Sequence, residues 1–152
     1  MGISRLTVIN YLDLLEKSFV IFRIPSYSRN LRNEIKKRQK FYFYDNGILN
    51  ALTGNFSTIQ NRSDIGLLWE NFCMAERMKL KGTGSRGMEN MFFWHTYDGA
   101  EIDLVEVADG KLKAFEFKWN VIRKPSLPFS FSDAYGVESL TVITPKTLHL
   151  LK

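Results

Sequence analysis

The sequence predicts a mixed α+β protein made of a first segment (residues 1–60) and a second segment (residues 61–152). Its 152 residues are enough for one ordinary domain or two small ones. With 45% hydrophobic and 24% charged residues, the composition is that of a chain with a packed core. Apolar residues at helical spacing alternate along the chain with short β-branched and aromatic runs, which predicts helices and strands in both segments.

The first segment is predicted to fold as helix, strand, basic loop and strand. Ser4 can cap the helix, and helical spacing gives it a broad apolar face that we expect to be buried, formed by Val8, Ile9, Tyr11, Leu12 and Leu15. Strands are expected at 19–24 and 40–44, with a polar, cationic run at 28–39 between them. This is the element order of the second half of a winged helix, in which the helix enters the major groove and the loop lies along phosphates. Because two preceding helices are missing, we expect a partial winged helix that packs weakly on the second segment.

All of the excess positive charge lies in the first segment. Residues 1–60 contain 9 Lys and Arg against 4 Asp and Glu, whereas residues 61–152 contain 12 of each kind. Such asymmetry suggests a surface for DNA or another polyanion, and a merely solvated basic face is the alternative. The residues predicted to bind DNA are Thr7, Asn10, Arg29, Arg32, Lys36, Lys37, Arg38 and Lys40.

The second segment has the predicted order α-β-β-β-α-β. Its elements are expected at 65–80, 91–96, 100–107, 111–119, 129–135 and 139–144. Asp109-Gly110 between the second and third strands is a strong signal for a tight hairpin. The glycine-rich run at 82–87 formally matches GxGxxG, but it follows a helix and precedes a strand, which is the wrong context for a dinucleotide site. No GxxxxGK[ST] motif occurs, so no ATP site is predicted in this chain.

The hairpin brings several charged residues together. Counting outward from Asp109-Gly110 places Asp103 opposite Glu116 and Glu101 opposite Lys118, and strand alternation places all four side chains on one face. Directly opposed carboxylates repel each other, and Mg²⁺, which prefers oxygen ligands, would compensate. The alternative is an ordinary ion pair between Glu101 and Lys118, with the other two carboxylates at a solvated edge.

Asp103, followed after a hairpin by Glu116-Phe117-Lys118, resembles the PD-(D/E)xK phosphodiesterase superfamily and its restriction-endonuclease-like fold. The whole chain resembles the C-terminal region of bacterial and archaeal AAA-type ATPases. In those proteins a winged helix follows the ATPase module and precedes a nuclease-like domain of unknown function. The matching stretches are 4–16, 41–52, 66–71, 101–103 and 116–118.

The resemblance implies roles for individual residues. Asp103, Glu116 and Lys118 correspond to the catalytic residues, and Glu70 joins Asp103 and Glu116 as a metal ligand. Ile102 stands where the superfamily motif has proline, which coordinates nothing. Mg²⁺ or Mn²⁺ is the implied cofactor, and DNA and an ATPase module outside this chain are the implied partners.

The composition limits which kinds of site and which cellular location are expected. The single cysteine and two histidines rule out a disulfide framework and a Cys- or His-based zinc site. Because no secretory signal or membrane-length apolar run is visible, a cytoplasmic protein is expected. Three functions stay open: a metal-dependent nuclease with a DNA-binding winged helix, a DNA-binding module in which cleavage is lost, and a regulatory or protein-interaction module of an ATPase.

Overall fold

The computed structural model describes residues 2–28, 38–82 and 90–151. The first segment begins with helix α1 (Arg5–Lys17), whose N-cap Ser4 accepts a hydrogen bond from the Thr7 amide. Strands β1 (Ile21–Pro25) and β2 (Gln39–Phe43) form an antiparallel pair, and helix α2 (Asn46–Thr53) follows. A short 3₁₀ turn (Ile59–Asn61) leads into the second segment.

The second segment contains the predicted α-β-β-β-α-β order, which confirms the mixed α+β class. Its elements are α3 (Ile65–Lys81), β3 (Met91–His95), β4 (Glu101–Ala108), β5 (Lys111–Phe117), α4 (Phe129–Tyr135) and β6 (Leu140–Ile143). The sheet order is β3-β4-β5-β6, antiparallel except for the parallel β5–β6 pair. A parallel pair needs a crossover, and α4 lies within that connection. Apart from Gly82, the glycine-rich run at 82–87 lies outside the described residues.

The β4–β5 hairpin has the predicted turn and register. Asp109 and Gly110 both have positive φ, 52° and 73°, as a two-residue turn matched to the strand twist requires. The pairs run from Ala108 opposite Lys111 to Leu104 opposite Phe115. Local turn chemistry therefore fixes the relative position of the two strands.

A β-bulge in β4 changes which face its residues occupy. Phe92 of β3 pairs with Val105 but Trp94 pairs with Ile102, so two residues of β4 lie opposite one residue of β3. As a result Ile102 packs on the α4 side together with Val105, whereas Leu104 packs on the α3 side. The strict alternation that was predicted along β4 is wrong at this point, because the bulge inserts an extra residue.

The hairpin of the first segment shares the core of the second. Phe22 and Tyr42 belong to the same buried cluster as Met74 of α3. At the edge of the sheet, the Tyr27 amide donates to the carbonyl of Phe93 at 2.7 Å. The expected weak packing is therefore wrong. The physical reason is that α3 is apolar on most sides, so the four-stranded sheet alone cannot cover it.

Helix α1, by contrast, is less buried than the sequence predicts. All of its residues are described and none is buried, and Tyr11, for example, is 61% exposed. Polar contacts connect the helix to β1: Arg23 donates to Glu16 at 2.6 Å and forms an ion pair with Asp13. The predicted buried face of α1 is therefore an exposed apolar face.

Within the described part of the chain, no helix combines the length and the hydrophobicity that crossing a bilayer would require.

Candidate functional site

Carboxylates from three elements form one electrostatically coupled group, which we call the acidic cluster. Its members are Glu70 of α3, Glu101 and Asp103 of β4, and Glu116 of β5. Two lysines lie among them: Lys40 of β2 contacts Glu70 and Glu101, and Lys118, just after β5, contacts Glu116. The cluster lies at the end of β4 and β5 that is remote from the Asp109-Gly110 turn.

Asp103 is the most buried carboxylate of the acidic cluster, with 6% exposure. Its Oδ2 accepts a hydrogen bond from the Phe117 amide at 2.8 Å. Burial, with the negative charges of Glu116 and Glu70, raises the pKa of Asp103 to about 7, although the Phe117 amide and Lys118 act in the opposite direction. This carboxyl group thus keeps its proton to a higher pH than an ordinary aspartate does, and added positive charge beside it would favour the ionised form.

Lys118 is held at the cluster by both backbone and side chain. Its amide donates to the Ile143 carbonyl at 2.9 Å, which extends the contact between β5 and β6. Its Nζ lies 2.6 Å from Glu116 Oε1. Burial alone would lower the pKa of Lys118, but the hydrogen bond to Glu116 and the charge of Asp103 outweigh it and raise that pKa. Lys118 therefore stays an ammonium.

Glu70 is fixed by the first segment. The Tyr42 hydroxyl donates to Glu70 Oε1 at 2.7 Å, and Lys40 Nζ approaches the same oxygen at 3.3 Å. Burial and the adjacent Glu70 raise the pKa of Tyr42 above its ordinary value, so this hydroxyl keeps its proton and acts as a donor. Strand β2 thus positions a carboxylate of helix α3.

The donor chemistry of the acidic cluster suits a hard divalent cation, because every candidate ligand is a carboxylate oxygen. The raised pKa of Asp103 supports this fit, since a bound cation would offset both its main cause, burial of the charge, and the repulsion from Glu116 and Glu70. The side-chain positions do not form a ready-made cage: in the described ranges, no group of three or more His, Cys, Asp or Glu is arranged to hold a metal ion. Cation binding would therefore need side-chain movement at the lysine-paired carboxylates.

The structure brings together all four residues that the resemblance assigns to the site, Glu70, Asp103, Glu116 and Lys118. The alternative ion pair between Glu101 and Lys118 does not form: Glu101 pairs with Lys40, and Lys118 pairs with Glu116. The physical reason is that the β4–β5 ladder ends at Leu104 and Phe115, so the cross-strand register does not extend to Glu101.

The predicted DNA-binding residues have different positions. Arg29, Arg32, Lys36 and Lys37 lie outside the described residues. Asn10 and Arg38 are exposed, whereas the Thr7 hydroxyl is 2.8 Å from that of Ser4 in the helix cap. Lys40 was expected along phosphates but lies in the acidic cluster, because β2 packs beside α3 instead of projecting into solvent.

Sequence reasoning missed the contribution of β2 to the acidic cluster. Lys40 and Tyr42 are two residues apart, and alternation along a strand places both on one face. That spacing was available in the sequence. The spacing could not indicate that this face of β2 contacts Glu70. Tyr42 and Glu70 are 28 positions apart in the sequence.

Comparison with known protein families identifies both segments. Residues 65–149, more than half of the chain, match the model of a domain of unknown function, DUF4143. The chain belongs to the DUF4143 family. Residues 1–59 match a second domain of unknown function, DUF8612. The acidic cluster and Lys118 thus lie in the DUF4143 segment, whereas Lys40 and Tyr42 are contributed by the DUF8612 segment.

Curated relatives of this DUF4143 chain include two mycobacterial proteins. They are Uncharacterized protein Mb2031c of Mycobacterium bovis and Uncharacterized protein Rv2008c of Mycobacterium tuberculosis. Each is 24% identical to the chain over 120 residues, which cover 78% of the chain and 26% of the relative. The chain therefore spans about a quarter of the length of the curated relatives it matches. No solved structure matches the chain.

Proposed function

We propose that this chain is part of an AAA-type ATPase that acts on DNA in the cytoplasm, and that its DUF4143 segment is a metal-dependent nuclease-like domain that hydrolyses phosphodiester bonds. The observation that carries the proposal is the pairing of a buried Asp103 with Glu116 and Glu70, beside the ammonium of Lys118. A carboxylate that is buried among other carboxylates is destabilising unless a cation compensates it. Carboxylates beside a lysine are the groups that the PD-(D/E)xK resemblance assigns to catalysis.

The proposed metal ligands are Glu70, Asp103 and Glu116. Bound there, Mg²⁺ or Mn²⁺ would supply an activated water and would neutralise negative charge on the phosphate. Oxygen-only ligands and the raised pKa of Asp103 both support this assignment. Asp103 is already oriented for the role, because the Phe117 amide fixes its Oδ2.

Lys118 is the proposed electrostatic catalyst. Its ammonium is held 2.6 Å from Glu116, so its position is set before a substrate arrives. A preorganised positive charge stabilises the negative charge that develops on a phosphate during hydrolysis. In this role Glu116 both binds the cation and orients the lysine.

The proposed DNA surface is the first segment, which we interpret as a partial winged helix. Its net charge of +5 and the exposed side chains of Asn10 and Arg38 support this role. The succession of α1, β1 and β2 is the order that the winged-helix interpretation requires. Contacts from the side chains of Asn10 and Arg38 to phosphates would be independent of base sequence.

Metal titration and a cleavage assay on matched variants test the nuclease proposal. Isothermal titration with Mn²⁺ should show binding that is lost in Asp103→Ala and in Glu116→Ala. Nicking of supercoiled plasmid should be lost in Lys118→Ala, whereas Mn²⁺ binding by that variant should largely persist. Metal binding without cleavage by the wild type would refute the enzymatic part, and absence of metal binding would refute the site itself.

A regulatory or protein-interaction module is the second candidate function, and one observation favours it. Helix α1 exposes large apolar side chains, including Leu6, Tyr11 and Leu14. Exposed contiguous apolar surface is typical of contacts with other protein. Fluorescence anisotropy with duplex DNA at several salt concentrations separates the two functions. Binding that weakens steeply with salt supports the DNA surface, and absence of binding at low salt supports the interaction module.

A further inference from the structure

Lys40 is the cation that the first segment contributes to the acidic cluster. Its Nζ lies 3.3 Å from Glu70 Oε1, forms an ion pair with Glu101 and lies 5.4 Å from the centre of the Phe93 ring. These contacts belong to α3, β4 and β3, so three elements of the second segment fix one side chain of β2. Only 29% of the Lys40 side chain is exposed. Its place in the cluster is therefore well defined.

The two lysines of the cluster form ion pairs with three of its four carboxylates. Lys118 pairs with Glu116, and Lys40 pairs with both Glu70 and Glu101. Asp103 forms no ion pair with any described residue. A divalent cation that binds to Glu70, Asp103 and Glu116 must therefore compete with Lys40 for Glu70 and with Lys118 for Glu116.

We infer that Lys40 is the resident cation of Glu70 and Glu101 in the metal-free protein, and that a divalent cation binds by taking Glu70 from it. The inference rests on the proposed metal site. Lys40 holds Glu70 and Glu101 together when no metal is bound, because two neighbouring carboxylates would otherwise repel. The same ammonium weakens metal binding, because it carries positive charge beside an incoming cation.

Mn²⁺ affinity tests the competition directly. Isothermal titration compares the wild type with Lys40→Met, which removes the charge and keeps an unbranched stem to pack against Phe93. Lys113→Met is the matched control, because Lys113 is an exposed lysine in strand β5. We expect Lys40→Met to bind Mn²⁺ roughly tenfold more tightly than the wild type, since it loses a like charge close to the cation. The control should bind Mn²⁺ as the wild type does.

A second measurement examines the metal-free state. In the presence of a chelator, urea denaturation compares Lys40→Met, Glu101→Gln and the double variant. Lys40→Met should lower the urea midpoint clearly when Glu101 is present and much less when Glu101 is replaced, because the paired charge is then already gone. If Lys40→Met does not fold, Lys40→Gln, which keeps a hydrogen-bond donor, provides the same two measurements.

The possible outcomes separate this inference from the proposed function. Unchanged or weaker Mn²⁺ binding by Lys40→Met, with normal binding by the wild type, would overturn the inference and leave the metal site standing. Absence of Mn²⁺ binding in every variant would overturn both. Binding by Lys40→Met alone would support the inference that Lys40 holds Glu70, and it would overturn metal-dependent hydrolysis by the wild type. Additive effects of Lys40→Met and Glu101→Gln on the urea midpoint would show that Lys40 does not hold Glu101, and would overturn the inference.

Discussion

Replacing Asp103 with asparagine is expected to stabilise the metal-free protein at neutral and alkaline pH. Burial, together with the charges of Glu116 and Glu70, raises the pKa of Asp103 from 3.8 to about 7 in the folded protein. Between these two pH values the folded state keeps a proton that the unfolded state releases. The free energy of unfolding therefore decreases as pH rises from about 4 to about 7, because ionisation favours the unfolded chain.

The expected size of the effect follows from the pKa difference. About three pH units at 1.36 kcal/mol each amount to about 4 kcal/mol, which is an upper limit. Solvent screens this effect only slightly, because Asp103 is 6% exposed. Asparagine keeps an oxygen that can accept the 2.8 Å hydrogen bond from the Phe117 amide, and it carries no charge at any pH. The variant should therefore match the wild type near pH 4 and exceed it by up to about 4 kcal/mol at pH 8.

Urea denaturation followed by circular dichroism, from pH 4 to pH 8 with a chelator present, measures this difference. Asp133→Asn is the matched control, because Asp133 is an exposed residue of α4 and its replacement should change the free energy of unfolding little at any pH. Adding Mn²⁺ should stabilise the wild type and not the variant. A difference between Asp103→Asn and the wild type that stays constant across this pH range would refute the reasoning.

Three further predictions concern the stability of the fold. Arg77→Met should lower the free energy of unfolding by about 1.5–3 kcal/mol in urea denaturation, because Glu106, which is 1% exposed, loses the two 2.7 Å hydrogen bonds from Arg77 and keeps only its ion pair with Lys81. Met74→Ala should cost about 2–5 kcal/mol in the same assay, since it opens a cavity in the core shared by both segments. Gly110→Ala should cost about 1 kcal/mol, because φ is 73° there, and Gly2→Ala, in open space, is its control. Losses below about 0.5 kcal/mol in the first two variants would contradict the burial described for those residues.

The parts of the fold that sequence predicted well are those controlled by local chemistry. Asp109-Gly110 defines a turn with two positive φ angles, and this alone fixes the register of β4 against β5. The order of elements in the second segment follows in the same way from hydrophobic periodicity and from breaking residues. Such signals act over a few residues, so they can be interpreted without knowing which other elements lie nearby.

Features that depend on contacts between distant elements were not predicted. The bulge opposite Phe93 reverses the face of Ile102, and no residue type in β4 marks it. The apolar spacing of α1 predicts a buried face whether or not another element covers it, and the described elements leave Tyr11 exposed. Periodicity shows that a face is apolar, but only the tertiary structure shows what covers it.

The acidic cluster shows why a boundary between sequence families need not be a boundary in the structure. Tyr42 and Lys40 belong to residues 1–59, and Glu70, which they contact, belongs to residues 65–149. Removing the first segment would take away the donors that fix Glu70, together with Phe22 from the core around α3. The DUF4143 segment alone would then expose apolar surface, and Glu70 would lose its contacts with Lys40 and Tyr42. For this reason the shortest unit in which metal binding can be measured meaningfully is the pair of segments together.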